Sequence, residues 1–401
     1  MTRFAFAFFL LLIAPTSSST AQAAEPTPTE NGAAVAAKEK FDQLQKQWVD
    51  LTVKLRQKHQ QKATSKSNDL GPIDEEIQLL LAESESLVDQ IVAAGLDVYR
   101  ADSKSFPVVN QTLLAIAGFY VTGDANGDGG DQFEKALPIV KSLLAAGAEK
   151  ESPALWLWGG VSAYQTNDYE LAAQYFQTAR TANLLGASPP GQGPDDPLNR
   201  VWKLAQDASQ SLAANQRDWE KEAEIRAAEA AADDLPRVKL QTNRGDIVIE
   251  LFENEAPQAV ANFLTLVKQG YYDGIVFHRV LPSFMAQGGD PTGTGSGGPG
   301  YSIRCECHQP GYRKHFRGSL SMAHAGRNTG GSQFFLTFVS TSYLDGRHTV
   351  FGRVVEGIEV AASLKRRDPG DPSGPAPDRI VKAEVLRDRG HEYNFEKLPE
   401  R

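Results

Sequence analysis

At Pro236 the hydrophobic period of this 401-residue chain changes, and that change divides what the chain can fold into. Upstream, Phe41, Leu44, Trp48, Leu51 and Leu55 recur at spacings of three and four, which puts them on one helix face. Ile77, Leu80, Leu81, Leu87, Val88 and Ile91 continue that period. Downstream, Val238–Thr242 alternates apolar and polar residues, Asn243-Arg244-Gly245 supplies a turn, and Ile247, Val248, Ile249 and Leu251 make a second strand. Pro257 then opens a helix that buries Val260, Phe263, Leu264 and Val267 and stops near Gly270. Short strands with glycine-rich turns follow, the pattern of a closed antiparallel β-barrel. The chain therefore reads as multidomain, with an all-α region first and a barrel second.

Charge supports the division. The whole chain carries a net charge of −9, whereas residues 236–391 are weakly basic, so the remainder is strongly acidic. Neither part has a basic stripe dense enough for nucleic acid. The two cysteines, Cys305 and Cys307, stand too close together for a structural bridge.

The first residues read as an address. Arg3 precedes an unbroken apolar run from Phe4 to Ile13, Pro15 ends it, and Ala21-Gln22-Ala23 fits a small-x-small cleavage site. The run is too short to span a bilayer, and no cysteine follows it to carry a lipid. The expectation is a signal peptide at 1–23 and an exported mature chain, periplasmic or extracellular, without a membrane span. Residues 24–36 are expected to be a flexible linker, 37–234 the helical domain, 236–391 the barrel domain and 392–401 a tail. Within the helical part, Trp219–Ala232 is Ala- and Glu-rich and suits an exposed helix leading into the barrel domain. Residues 188–197 read as a loop.

Trp156, Gly160, Ala163, Tyr169, Ala172, Phe176 and Ala179 follow the spacing of a tetratricopeptide repeat, with Asn167-Asp168 as the turn. A weaker copy, Leu113–Tyr120 with Phe133, Ala136 and Val140, precedes it. An ordinary antiparallel helix pair gives the same pattern. If these are repeats, the region resembles tetratricopeptide-type scaffolds, which implies a protein partner. Between the two helices of the weaker copy, Asp124-Ala125-Asn126-Gly127-Asp128-Gly129 begins like a calcium-binding loop. Lys135 stands where a bidentate Glu belongs, and Asp131 where an apolar residue belongs, which favours a solvated Asp/Gly turn. Cys305, Cys307, His308 and His315 offer metal-ligand atoms, but their spacing matches no zinc pattern, and buried thiols are the simpler reading.

Three segments of the barrel part carry more. They are Phe277–Asp290 (FHRVLPSFMAQGGD), Gly318–Ala325 (GSLSMAHA) running on to Gly331–Leu336 (GSQFFL), and Tyr343–Gly352 (YLDGRHTVFG). In this order they resemble a cyclophilin-type peptidyl-prolyl cis–trans isomerase, over about Pro236–Arg389. The resemblance implies a barrel closed over by two capping helices, and proline-containing polypeptides as substrates. It implies Arg279, Gln287 and His348 as catalytic residues. Phe284, Met285, Phe335 and Leu344 would form the proline pocket, and Ala323, His324, Ala325, Gln333 and Tyr343 would complete the substrate-binding set. Tyr343 stands where many family members carry tryptophan, and His324 where asparagine is common. Rotation about an Xaa–Pro bond breaks no covalent bond, so no cofactor, metal or nucleophile is implied. The expected role is that of a folding helper for exported proteins, with a chaperone-like helical arm. The readings set against it are a non-catalytic module that holds proline-containing segments and a helical scaffold with an accessory isomerase. Taken singly, Arg279 could equally be a structural ion-pair arginine and the aromatics plain core.

Overall fold

The computed structural model describes residues 32–65, 70–102, 106–186, 188–189, 191, 196–371 and 374–399. The expected signal peptide, most of the expected linker and much of the 188–197 loop lie outside them. Linker positions 32–36 are instead the first turn of a helix, because Ala33, Ala34, Ala36 and Ala37 are strong helix formers and Ala34 is buried.

Among the described residues seven α-helices make the first part: α1 (Gly32–Thr64), α2 (Leu70–Ala101), α3 (Pro107–Thr122), α4 (Phe133–Ala145), α5 (Leu155–Gln165), α6 (Tyr169–Thr181) and α7 (Pro197–Ala232). α1 and α2 are antiparallel: Lys62 pairs with Asp74 beside their turn, and Phe41 lies against Gly95 at the far end. α5 and α6 pack closely because Gly160 has no side chain; a Cβ there would come 2.4 Å from Phe176 Cε1. Asn167 adopts φ 64° in the turn, and the Asp168 carboxylate caps α6 by accepting from Leu171 N–H. No described helix is long and apolar enough to cross a membrane.

The second part is one antiparallel sheet, formed by β1 (Arg237–Thr242), β2 (Gly245–Leu251), β3 (Arg279–Leu281), β4 (Met285–Gly288), β5 (Ser319–Met322), β6 (Phe334–Thr337), β7 (Val350–Glu356) and β8 (Ile380–Arg387). Two helices pack on it, α8 (Pro257–Lys268) and α9 (Ile358–Ala362). The strand order is β3-β4-β6-β5-β7-β2-β1-β8. The alternation read in Val238–Thr242 is the β1 burial pattern, with Val238, Leu240 and Thr242 inward. The expected closed barrel is not a closed ladder. Between β3 and β8 stand only the isolated bridges Val276–Arg379 and Val280–Arg367. β3 has three residues, and Pro375 and Pro377 ahead of β8 lack the N–H a ladder needs.

Two large cores form, with two small clusters beside them, but the division at Pro236 does not separate the large ones cleanly. Val339, which follows β6, is buried in the helical core. The Trp219–Ala232 stretch is helical and mostly exposed, as expected, but one face of it is not solvated. Glu222 is 5% exposed, and the Trp219 ring meets Phe316 edge-on at 5.2 Å. Charges alternate across this contact. Arg313, stacked 3.7 Å over the Phe252 ring, bonds Glu222 at 2.6 Å and also Glu229; Arg353 joins Glu229 to Glu250 at 2.7 Å each. Glu229 thus stands between two arginines with its side chain largely buried, where removing one partner of such a pair costs ~3–5 kcal/mol. Residues 392–399 fold back, pairing Leu398 with Ser302 and setting Phe395 against Tyr301.

Candidate active site

Register builds the site. In the β3–β4 hairpin Arg279 lies opposite Gln287; across β4–β6 Gln287 lies opposite Phe335; across β5–β6 Phe335 lies opposite Ser321. Directly opposed residues share a sheet face, so Arg279, Gln287 and Phe335 form one row. They line a concave pocket of ≈ 540 Å³. Phe284, Met285, Ala323, His324, Ala325, Gln333, Leu344 and His348 also line it. Tyr343 does not. Its ring stands 6.2 Å from that of Phe284, on the outer side of the pocket wall, because the turn Ser342–Leu344 directs consecutive side chains apart.

The Arg279 guanidinium lies 5.8 Å from the Phe284 ring centroid. Among the described residues no ion pair or side-chain hydrogen bond engages it, so it is not the structural ion-pair arginine considered above. Gln287 donates from Nε2 to Gln333 Oε1 at 2.9 Å. Gln333 in turn donates to the Gly295 and Gly297 carbonyls, tying this row to the glycine-rich wall of the pocket. That wall is set by Asp290. Burial alone would raise its carboxyl, but bonds from the Thr292 hydroxyl and from the Gly297, Thr292 and Gly295 N–H groups bring it down to about 2.

His348 donates from Nδ1 to the Met322 carbonyl at 3.0 Å, which fixes its tautomer. Burial, reinforced by nearby His324 and Arg347, lowers its pKa to about 4, so the ring is neutral at ordinary pH. Its face stacks on His324 at 4.1 Å. In the segment 323–325, the Ala323 and Ala325 N–H groups are already bonded, to Gln333 O and Thr329 Oγ1.

Residues the sequence did not assign to this site support the arrangement. Buried His315 bonds Asp345 at 2.8 Å and Ser321 at 2.9 Å and lies parallel to the Phe335 ring, fixing it from behind. Asn262 donates to Gly331 O and accepts from the Tyr301 hydroxyl. Asn262 is a single polar residue in an apolar run, the one signal that could have exposed it, whereas His315 stands in the basic stretch 313–317 and carries no such signal. His315 is thereby committed to Asp345 and Ser321. Cys305 Sγ accepts from Asn328 N–H, and no group of three or more His, Cys, Asp or Glu among the described residues could hold a metal.

The loop weighed as a calcium site has another occupation. Asp124 Oδ1 accepts from the Asn126 and Asp128 N–H groups. Asp128 accepts from Arg366 N–H at 2.7 Å; Asp131 accepts from the Arg366 guanidinium at 2.7 Å and from Ser283 N–H at 2.9 Å. A guanidinium thus stands where a cation would, and the loop clasps the hairpin that carries Arg279. Gly127 lets it approach: a Cβ there would lie 2.4 Å from Pro282 Cβ.

Residues 237–385 match the family model described as cyclophilin type peptidyl-prolyl cis-trans isomerase/CLD. A peptidyl-prolyl cis-trans isomerase of Helicobacter pylori is 58% identical over 132 residues, 32% of this chain and 80% of that protein. Peptidyl-prolyl cis-trans isomerase B of Bacillus subtilis is 52% identical over 122 residues, 30% of this chain and 85% of that protein. Peptidyl-prolyl cis-trans isomerase ppi1 of Schizosaccharomyces pombe is 48% identical over 162 residues, 38% of this chain and all of that protein.

Proposed function

The chain belongs to the cyclophilin-type peptidyl-prolyl cis–trans isomerases, and from that premise we propose that Arg279 accelerates rotation about Xaa–Pro bonds in exported polypeptides. Amide resonance gives the bond partial double-bond character and a barrier of ~18–20 kcal/mol. Catalysis requires tighter binding of the twisted amide than of either planar form. As the amide twists, the proline nitrogen becomes pyramidal and its lone pair becomes available to a donor. Arg279 supplies that donor, while Met285, Phe335, Leu344 and Phe284 hold the ring and His348 borders it. Gln287 and the 323–325 segment hold the flanking peptide. A thousandfold acceleration requires ~4 kcal/mol of preferential transition-state binding, within reach of one charged donor in a desolvated pocket.

The observation that carries this reading is the row Arg279–Gln287–Phe335 at the pocket, with a guanidinium that makes no ion pair among the described residues. The apolar run near the N terminus supports export, and the helical part, with its repeat-like spacing, supports a role in protein contact during folding. The bridges between the sheet edges, with α8 and α9 packed on the sheet, support the closed, capped barrel that the family resemblance implies. The test compares wild type and Arg279→Ala on a tetrapeptide with one Xaa–Pro bond. Loss of most of kcat/KM with an unchanged circular dichroism spectrum is expected. Equal rates overturn the mechanism, and peptide binding without acceleration in wild type marks a binding module.

A further inference from the structure

A second concavity, ≈ 600 Å³, lies beside the proline pocket, between the first half of α7 and the segments around Ser283 and Tyr343. The two cavities share a wall two residues thick. Ser283 faces the second cavity and Phe284 the first; Tyr343 faces the second and Leu344 the first. The Phe284 and Tyr343 rings, tilted 33° to each other, form the ridge. Tyr343 is 61% exposed, an unusual state for a large ring in a folded domain.

We propose that this cleft is a subsite for the substrate polypeptide on one side of the isomerised bond, so that the chain passes over the Phe284–Tyr343 ridge and lies along α7. The proposal rests on the proline-pocket reading given above. Continuity of the two cavities names the occupant: a segment leaving the proline pocket over this ridge enters the cleft directly. The walls suit an extended unfolded chain of mixed composition. Leu204, Ala208 and Val339 give apolar surface, and Gln210 presents an amide. Lys203 and Asp207, paired at 2.8 Å and well exposed, present one charge of each sign, and the guanidinium of Arg200, the further cation of this wall, is bonded to the Thr122, Asp124 and Ala125 carbonyls. At ~3.3 Å per extended residue, a segment of a few residues beyond the proline reaches this wall. A tetrapeptide is too short to use it. The wall exists only because the helical part is fixed against the sheet; an isomerase domain alone has none.

The test uses the full chain and two substrates: a tetrapeptide with one Xaa–Pro bond, and an unfolded protein whose refolding is limited by one such bond. Gln210→Trp and, separately, Lys203→Trp fill the cleft from the exposed face of α7. Tetrapeptide kcat/KM is expected to stay within twofold of wild type, which also reports a folded protein. The KM for the unfolded protein is expected to rise about fivefold or more in both variants. A wild-type chain inactive on the tetrapeptide overturns the isomerase reading and the proposal with it. Normal tetrapeptide rates with an unchanged KM for the unfolded protein overturn the cleft alone. So does a change in oligomeric state in the variants, which would make a second copy the occupant.

Discussion

The Asp131 carboxylate, from the helical part, accepts a 2.9 Å hydrogen bond from the Ser283 N–H, one residue before the pocket-lining Phe284. Ser283 sits at φ 56°, a conformation sparsely populated by residues with a side chain. The helical part therefore helps to hold the tip of the hairpin on which Arg279 and Gln287 face each other. Replacing Asp131 by Ala strands that N–H and takes the carboxylate from the buried Arg366 guanidinium, which keeps its bonds to the Ala362, Leu364 and Gly130 carbonyls. Asp131→Ala is expected to lose ~3–5 kcal/mol of stability and to lower tetrapeptide kcat/KM. Asp131→Asn, which keeps an acceptor, is expected to lose less of both. Denaturant unfolding and initial rates measure the two effects.

Arg279→Lys separates charge from geometry. Lysine keeps the positive charge but lacks the planar fork, and removal of one well-placed transition-state donor costs ~10²–10³ in rate. A loss in that range is expected in kcat. Because Arg279 makes no ion pair among the described residues, stability should stay within ~0.5 kcal/mol of wild type. A rate near wild type would show that charge alone suffices.

His348 sets an acid limit. Its folded pKa, about 4, lies below the ordinary imidazole value of 6.5. The unfolded chain therefore binds the proton first as pH falls. Stability from the neutral ring is complete above about pH 6.5 and is lost as pH drops from there towards 4. Activity should be level between about pH 6 and 8 as far as this residue is concerned, and should fall near pH 4. The His348→Phe variant should lose this acid-side drop in thermal stability. A midpoint near 6.5 in the wild-type rate profile that vanishes in His348→Phe would contradict the lowered pKa.

The two thiols should differ. Burial would raise Cys305, but His324 and the Asn328 N–H bring it below the ordinary thiol value, whereas burial raises Cys307. The thiolate is the reactive form, so iodoacetamide should modify Cys305 first. His324→Ala should slow that reaction severalfold at neutral pH and leave Cys307 unaffected, as read by mass spectrometry of the alkylated peptides.

What could be read from the sequence was whatever lies in contiguous segments. The strands of the first hairpin and helix α8 announce themselves by period, and the pocket residues expected from the resemblance fall within three short stretches, although the glycine-rich wall from Gly295 to Ser302 lies outside them. What could not be read depends on residues far apart. Asp131 and Arg366 are 235 positions apart, and Glu222 and Arg313 are 91 apart. No periodicity links such pairs, so the acidic loop read as a solvated turn, and nothing marked the one buried face of the Glu-rich end of α7. The true partner in both cases is an arginine of the other part. The place of Tyr343 was missed for a different reason. A pattern match assigns a position to a site, but the direction of a side chain in a turn depends on the backbone around it.

Val339 carries a consequence for how the molecule comes apart. A side chain after β6 completes the interior of the helical bundle, so neither half is whole when the other is melted. Calorimetry should record one endotherm rather than two, and a protease cut near residue 235 should yield fragments that stay associated until both denature.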